Sequence, residues 1–185
     1  MTDTTAHGHT SSTGISNVKL GMWTFLGSEC LLFGGLISTY MLYRGRVTGG
    51  PRPSQIFDIP FTSVSSFVLL MSSLTMVLAV SAAHKRDDRS TNLWLVITAL
   101  LGATFVGGQV YEFTAFYNEG MGFSTSLFSS SFFVLTGFHG VHVTVGIIML
   151  LALRGMMKNN KVPGSRSETV EMIGLYWHFV DIVWI

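Results

Sequence analysis

Few side chains in this 185-residue chain could do chemistry, and most of them interrupt long apolar runs. Glu29 stands inside GMWTFLGSECLLFGGLISTY. Gln109 and Glu112, three apart, share a helix face in another run. His139 and His142, also three apart, project from one face of a third. Glu171, Gly174, His178 and Asp181 follow at spacings of three, four and three, a polar stripe if the segment is helical, with Trp177 and Trp184 on the face beside it.

A charge at mid-membrane costs roughly 2.5–3.5 kcal/mol on insertion scales. Glu29 therefore reads either as a proton-linked or partner-binding carboxyl, or as a protonated acid hydrogen-bonded to a neighbouring helix. Glu112 lies near the end of its run, where it can reach water. Two histidines in an HxxH pattern can ligate metal. No carboxylate in the same segment orients these two, and bonds across helices account for them more simply. His178 and Asp181 can pair at i,i+3, lowering the burial cost of both. His7 and His9 lie in a polar, low-complexity start, where an ordinary mobile pair is the simpler account than a metal site. The lone cysteine, Cys30, rules out a disulfide within the chain and any Cys-pair metal site.

The elements that must hold these groups follow from hydropathy. Charged residues make up 11% of the chain, against about 25% for a soluble domain. Mean hydropathy is +0.48. The net charge of +1 leaves no basic surface for nucleic acid. A bilayer core about 30 Å thick takes roughly 20 apolar residues as a helix. Segments 20–43, 61–83, 93–117 and 124–153 reach that length, and a fifth runs from 169 to 185. At ~1.5 Å per residue the fourth is about 45 Å long, so it should tilt or protrude. The fifth ends on Val183-Trp184-Ile185 without a polar flank, which suggests a chain that continues or a last turn covered by a partner.

The expected fold is thus an all-α, multi-pass transmembrane bundle of five spans. A mobile polar tail occupies 1–18, and a membrane domain occupies 19–185. With five spans, Lys19, Lys85, Arg86, Arg89, Arg154, Lys158, Lys161 and Arg166 fall on one side, and Arg44, Arg46 and Arg52 on the other. The positive-inside rule puts the N-terminus in the cytoplasm and the C-terminus outside, as in a bacterial plasma membrane. Pro51, Pro53 and Pro60 with Gly49 and Gly50, and Pro163 with Gly164, suit non-helical connections.

Lipid tails give no hydrophobic push between helices, so small residues mark the contacts. Ser65, Ser66, Ser72 and Ser73 repeat at seven. Gly34-Gly35, Gly102 with Gly107-Gly108, Ala103 with Gly107 (a small-xxx-small pair), and Gly137 with Gly140 supply small residues in other spans. These predict a tight bundle rather than a wide pore. The absence of an internal repeat weakens a transporter built from inverted halves.

Together these segments resemble subunit III of the haem-copper oxidases, from Asn17 to Ile185. The first run resembles the family's pattern around its embedded glutamate, at Glu29. GGQVYEFTAF resembles its Gln-x-x-Glu segment, at Gln109, Tyr111 and Glu112. SSSFFVLTGFHGVHVTVG resembles its two-histidine helix, at His139 and His142. YWHFVDIVWI is the most specific, at Trp177, His178, Asp181 and Trp184, with Glu171 seven residues before the histidine. The family's longer members carry two further helices that frame a phospholipid cleft, and this chain starts with their third.

The resemblance implies a supporting subunit without a redox centre. It would pack on catalytic subunit I and other oxidase subunits, keep proton uptake working, and slow turnover-linked inactivation. Haem and copper would reside in those partners, and phospholipid would be bound. The family's catalytic subunit needs six histidines for two haems and a copper. Here only His139, His142 and His178 lie within spans. The subunit would form a five-helix wedge that Glu29, Glu171, His178 and Asp181 hold together, or these would grip lipid headgroups, without being obligatory proton conductors. Three alternatives are an accessory protein of nitric oxide reductase, a stand-alone proton or solute channel, and a bis-histidine haem anchor.

Overall fold

The computed structural model describes residues 14, 16–44, 59–159, 162 and 166–185. His7, His9, Gly49, Gly50, Pro51, Pro53, Pro163 and Gly164 lie outside them. Five helices make up the described fold: α1 (Asn17–Arg44), α2 (Ile59–His84), α3 (Asp88–Asn118), α4 (Leu127–Lys158) and α5 (Arg166–Trp184). The first four are long and apolar enough to cross a membrane. The fifth carries Arg166, Glu168, Glu171 and Asp181 and is not in that group.

Local chemistry explains the tight hairpins. At the end of α2 the Asp87 amide bonds Ala82 O and the Arg86 amide bonds Ala83 O, both at 3.1 Å. This pair of bonds closes a Schellman turn, and Arg86 takes the left-handed φ of 57° that it requires. Asp87 then caps α3, accepting from the Ser90 amide at 3.1 Å and the Ser90 hydroxyl at 2.6 Å. Those two bonds, the hydroxyl's first, hold its carboxyl below the usual carboxylate range. The end of α3 repeats the turn with Gly120 at φ 86°. There Met121 N bonds Phe116 O at 2.9 Å. Ser126 caps α4.

Helix α5 is the hub. It packs on α2, α4 and α1, while α2 packs on α3, α3 on α4, and α1 on α4. Its Val170, Met172, Tyr176, Trp177, Val180 and Asp181 are all buried. The helix least suited to lipid by composition is therefore the one most enclosed by protein. Helix α1 is the opposite case. Leu26 and Phe33 are its buried side chains, and Leu31 is 80% exposed.

Candidate functional site

The polar residues are ties between helices, and α5 carries the densest set. The Trp177 indole donates to Ser72 Oγ at 3.0 Å and the Trp184 indole to Ser66 Oγ at 2.9 Å. His178 Nδ1 lies 2.7 Å from Ser73 Oγ. Rising numbers on α2 meet falling numbers on α5, so the two helices run antiparallel. Ser72 and Ser66 each send their one hydroxyl proton to a carbonyl of their own helix, Leu69 O at 2.6 Å and Thr62 O at 2.8 Å. That leaves an oxygen lone pair for each indole. The serine face of α2 is thus an acceptor ladder as well as a packing surface.

The Trp177 ring lies between two glycines. A Cβ on Gly102 would come 2.5 Å from it, and one on Gly146 2.8 Å. Gly174 is set against Met76 and Val80 of α2. Of the rest of the α5 stripe, His178 engages Ser73 rather than Asp181. Asp181 is 4% exposed; neither carboxylate oxygen has a hydrogen-bond partner among the described residues, though the Ser73 hydroxyl is close by. Glu171 faces Lys19 of α1 at 3.5 Å, both side chains 35% exposed. The stripe therefore serves two seams, with α1 at its start and with α2 beyond.

The two histidines of α4 go to different helices. His139, buried, places Nε2 3.1 Å from Val180 O on α5. A carbonyl only accepts, so Nε2 carries the proton and Nδ1 does not; Nδ1 is buried without a partner. Its ring sits between Phe105 and Trp184, with centroids 5.7 and 4.9 Å away. His142 gives Nδ1–H to Phe138 O at 2.7 Å and holds Nε2 3.1 Å from Glu29 Oε2 on α1. Tyr176 of α5 donates to His142 O at 3.0 Å. The imidazoles do not converge on a common point.

Gln109 ties α3 to α4, giving Nε2–H to Thr136 O at 2.6 Å. Glu112 ties α3 to α2, accepting from Thr62 Oγ1 at 2.8 Å, so it is engaged by protein rather than left to water. Sequence reasoning missed the Thr75–Thr98 bond of 2.8 Å between α2 and α3, and missed Tyr176. A hydroxyl within an apolar run was the available signal in both cases. Chemically, the arrangement distributes one or two polar pairs to each seam and assembles no common reaction centre among the described residues.

These observations define a helical membrane protein whose embedded polar side chains tie neighbouring helices together. Comparison with known proteins is specific. A family model for cytochrome c oxidase subunit III matches residues 1–185. The chain is 40% identical over 175 residues to quinol oxidase subunit 3 of Bacillus subtilis (strain 168), covering 95% of this chain and 85% of that one. It is 38% identical over 179 residues to cytochrome bo(3) ubiquinol oxidase subunit 3 of Pseudomonas aeruginosa, covering 97% and 85%. It is 40% identical over 171 residues to cytochrome c oxidase subunit 3 of Bacillus sp. (strain PS3), covering 91% and 82%. The chain belongs to the cytochrome c oxidase subunit III family; it is a subunit III of a haem-copper oxidase, a membrane component of respiratory electron transport.

Proposed function

We propose that this subunit is a five-span wedge that docks on catalytic subunit I, steadies its proton-uptake entrance and prolongs its working life. The observation that carries this is the pairing of embedded polar groups across different seams: Glu29 with His142, Gln109 with Thr136 O, Glu112 with Thr62, and His178 with Ser73. Groups committed to neighbouring helices hold a shape. A proton wire needs them in series, and these lie in parallel.

Helix α5 is the fifth span in this proposal. Its 19 residues extend about 28 Å, close to the bilayer core of about 30 Å, and its enclosure by α1, α2 and α4 shields the polar stripe from lipid. The loop charges place the N-terminus in the cytoplasm of a bacterium and the C-terminus outside. Haem and copper belong to the partner subunits, and phospholipid is bound. Relatives of equal similarity are named for quinol and for cytochrome c, so the electron donor follows from the companion. Co-purification with a dinuclear copper centre marks a cytochrome c oxidase.

The test is Glu29→Gln in the assembled oxidase, reading proton pumping at the start of turnover and activity lifetime. Intact initial pumping with a shorter lifetime supports the supporting role. Immediate loss of pumping in a fully assembled complex refutes it.

A further inference from the structure

Helix α1 lacks the usual means of staying in place. In lipid, helices adhere through close backbones, because apolar side chains gain little by leaving one hydrocarbon for another. Yet Gly21, Gly27, Gly34 and Gly35 each have nothing within 4 Å of where a Cβ would sit. What holds α1 is a few rings and a set of polar ties. Phe33, 2% exposed, meets His142 and Phe179, and Tyr40 meets Phe128 and Phe132. At the helix start, Ser16 donates to Glu168 and Lys19 faces Glu171. At its middle, the tie is Glu29 to His142, with side chains 14% and 15% exposed.

The proton inventory of that middle tie is fixed by geometry. Phe138 O can only accept, so His142 Nδ1 keeps its hydrogen. The 3.1 Å line between Nε2 and Glu29 Oε2 then holds one proton, carried either by the acid or by the imidazole. A second proton leaves the bond intact, since Nε2–H can donate to the carbonyl oxygen of a neutral acid. Removing the last proton sets a carboxylate oxygen against a ring lone pair, and the contact turns repulsive.

We propose that the Glu29–His142 pair is a single-proton clasp: the proton they share seats α1 on α4, and its loss to base pushes the two helices apart at mid-helix, against the packing of Phe33 and Tyr40. The start of α1 stays tethered by the Lys19–Glu171 and Ser16–Glu168 pairs, so the helix swings from that end. Other titratable groups of α4 and α5 stay outside the clasp. On α4, His139 turns its ring to Phe105 of α3 and Trp184 of α5. On α5, Tyr176 bonds His142 O, His178 meets Ser73 of α2, and the Asp181 carboxyl is buried. This goes beyond the supporting role above and stands whether or not proton uptake depends on the subunit.

The experiment is a pair of spin labels at Leu42 of α1 and Leu127 of α4, both exposed, in a Cys30→Ser background of the intact oxidase in nanodiscs. Distances are read at about pH 6 and about pH 10, with infrared spectra at each to report whether the shared proton has left. The expected result is one short distance at the lower pH and an added longer population at the higher. Glu29→Gln, whose amide can donate to Nε2 and has no proton to lose in this range, keeps the short distance at both. A control pair at Ile148 and Ile182 stays unchanged, and infrared spectra of the unsubstituted protein lose one Glu29 or His142 proton signal in step with the longer population. Superimposable distances at both pH values overturn the clasp, as does the same pH response in Glu29→Gln.

Discussion

Trp177 donates its indole proton to Ser72 at 3.0 Å while its ring fills the space left by two glycines on two other helices. One side chain thereby joins α5 to α2, α3 and α4, and it is 1% exposed.

Adding a methyl group at this joint should be costly. Gly146→Ala sets a Cβ 2.8 Å from a rigid ring, and overpacking of this kind costs about 1–3 kcal/mol. Gly137→Ala is the control, since nothing lies within 4 Å of its Cβ position. There the better helix propensity of alanine, worth up to about 1 kcal/mol, should leave stability unchanged or higher. Unfolding of the two variants in mild detergent separates them. Equal stability would mean that Trp177 moves aside at no cost.

A second close approach predicts coupling. A Cβ on Gly140 would lie 2.5 Å from Gln109 Oε1, and Gln109 is held by its bond to Thr136 O. Gly140→Ala should displace the amide and break that bond. Gln109→Ala removes the bond and the obstacle together. The double variant should therefore be less unstable than the sum of the singles, by about 0.5–3 kcal/mol. Strict additivity in a double-mutant cycle would show that the amide relaxes freely.

The helices were legible because apolar length is a strong signal, and the polar positions were legible because they interrupt it. Their partners were not. His139 and His142 share a face by spacing, yet three residues at ~100° each leave about 60° between them. With α1 and α5 packed side by side against α4, that angle sends the two rings to different helices. The same offset gives His178 to Ser73 rather than to Asp181. The start of α3 was hidden for another reason. Asp87, Asp88 and Ser90 end an apolar reading, but Asp87 caps the helix and so begins it before Leu93. The serines of α2 were readable as small, and only the fold reveals which indoles they receive.

The Asp87 cap predicts a local pH dependence. Its folded-state pKa lies below the ordinary value because Ser90 bonds the charged form. The cap's contribution is therefore fully present above the unfolded carboxylate range and is lost as pH falls through the lower folded value. Hydrogen exchange at Ser90 and Thr91 should lose protection on acidification, beyond the intrinsic change in exchange rate, while Thr98 deeper in α3 stays protected. Asp87→Ala should lose the protection at neutral pH and flatten the response. Asp87→Asn should keep protection and be insensitive to acid, because its amide oxygen still accepts from the Ser90 amide. Acid sensitivity persisting in Asp87→Asn would assign the effect to another group.

Asp181 offers the sharpest separation of stability from function. Both its oxygens are buried and lack a hydrogen-bond partner among the described residues, the nearby Ser73 hydroxyl being engaged by His178, an arrangement that costs about 1–3 kcal/mol. A leucine of similar reach carries no such cost. Asp181→Leu should therefore stabilise the isolated subunit by about 1–3 kcal/mol, as measured by unfolding in detergent. On the proposed supporting role, that carboxyl acts in the assembled oxidase. The same variant should thus assemble normally or better, yet lose activity faster during turnover than the unsubstituted complex. A less stable isolated subunit would mean that the carboxyl is bonded after all, and a variant oxidase with an unchanged lifetime would remove Asp181 from the functional set.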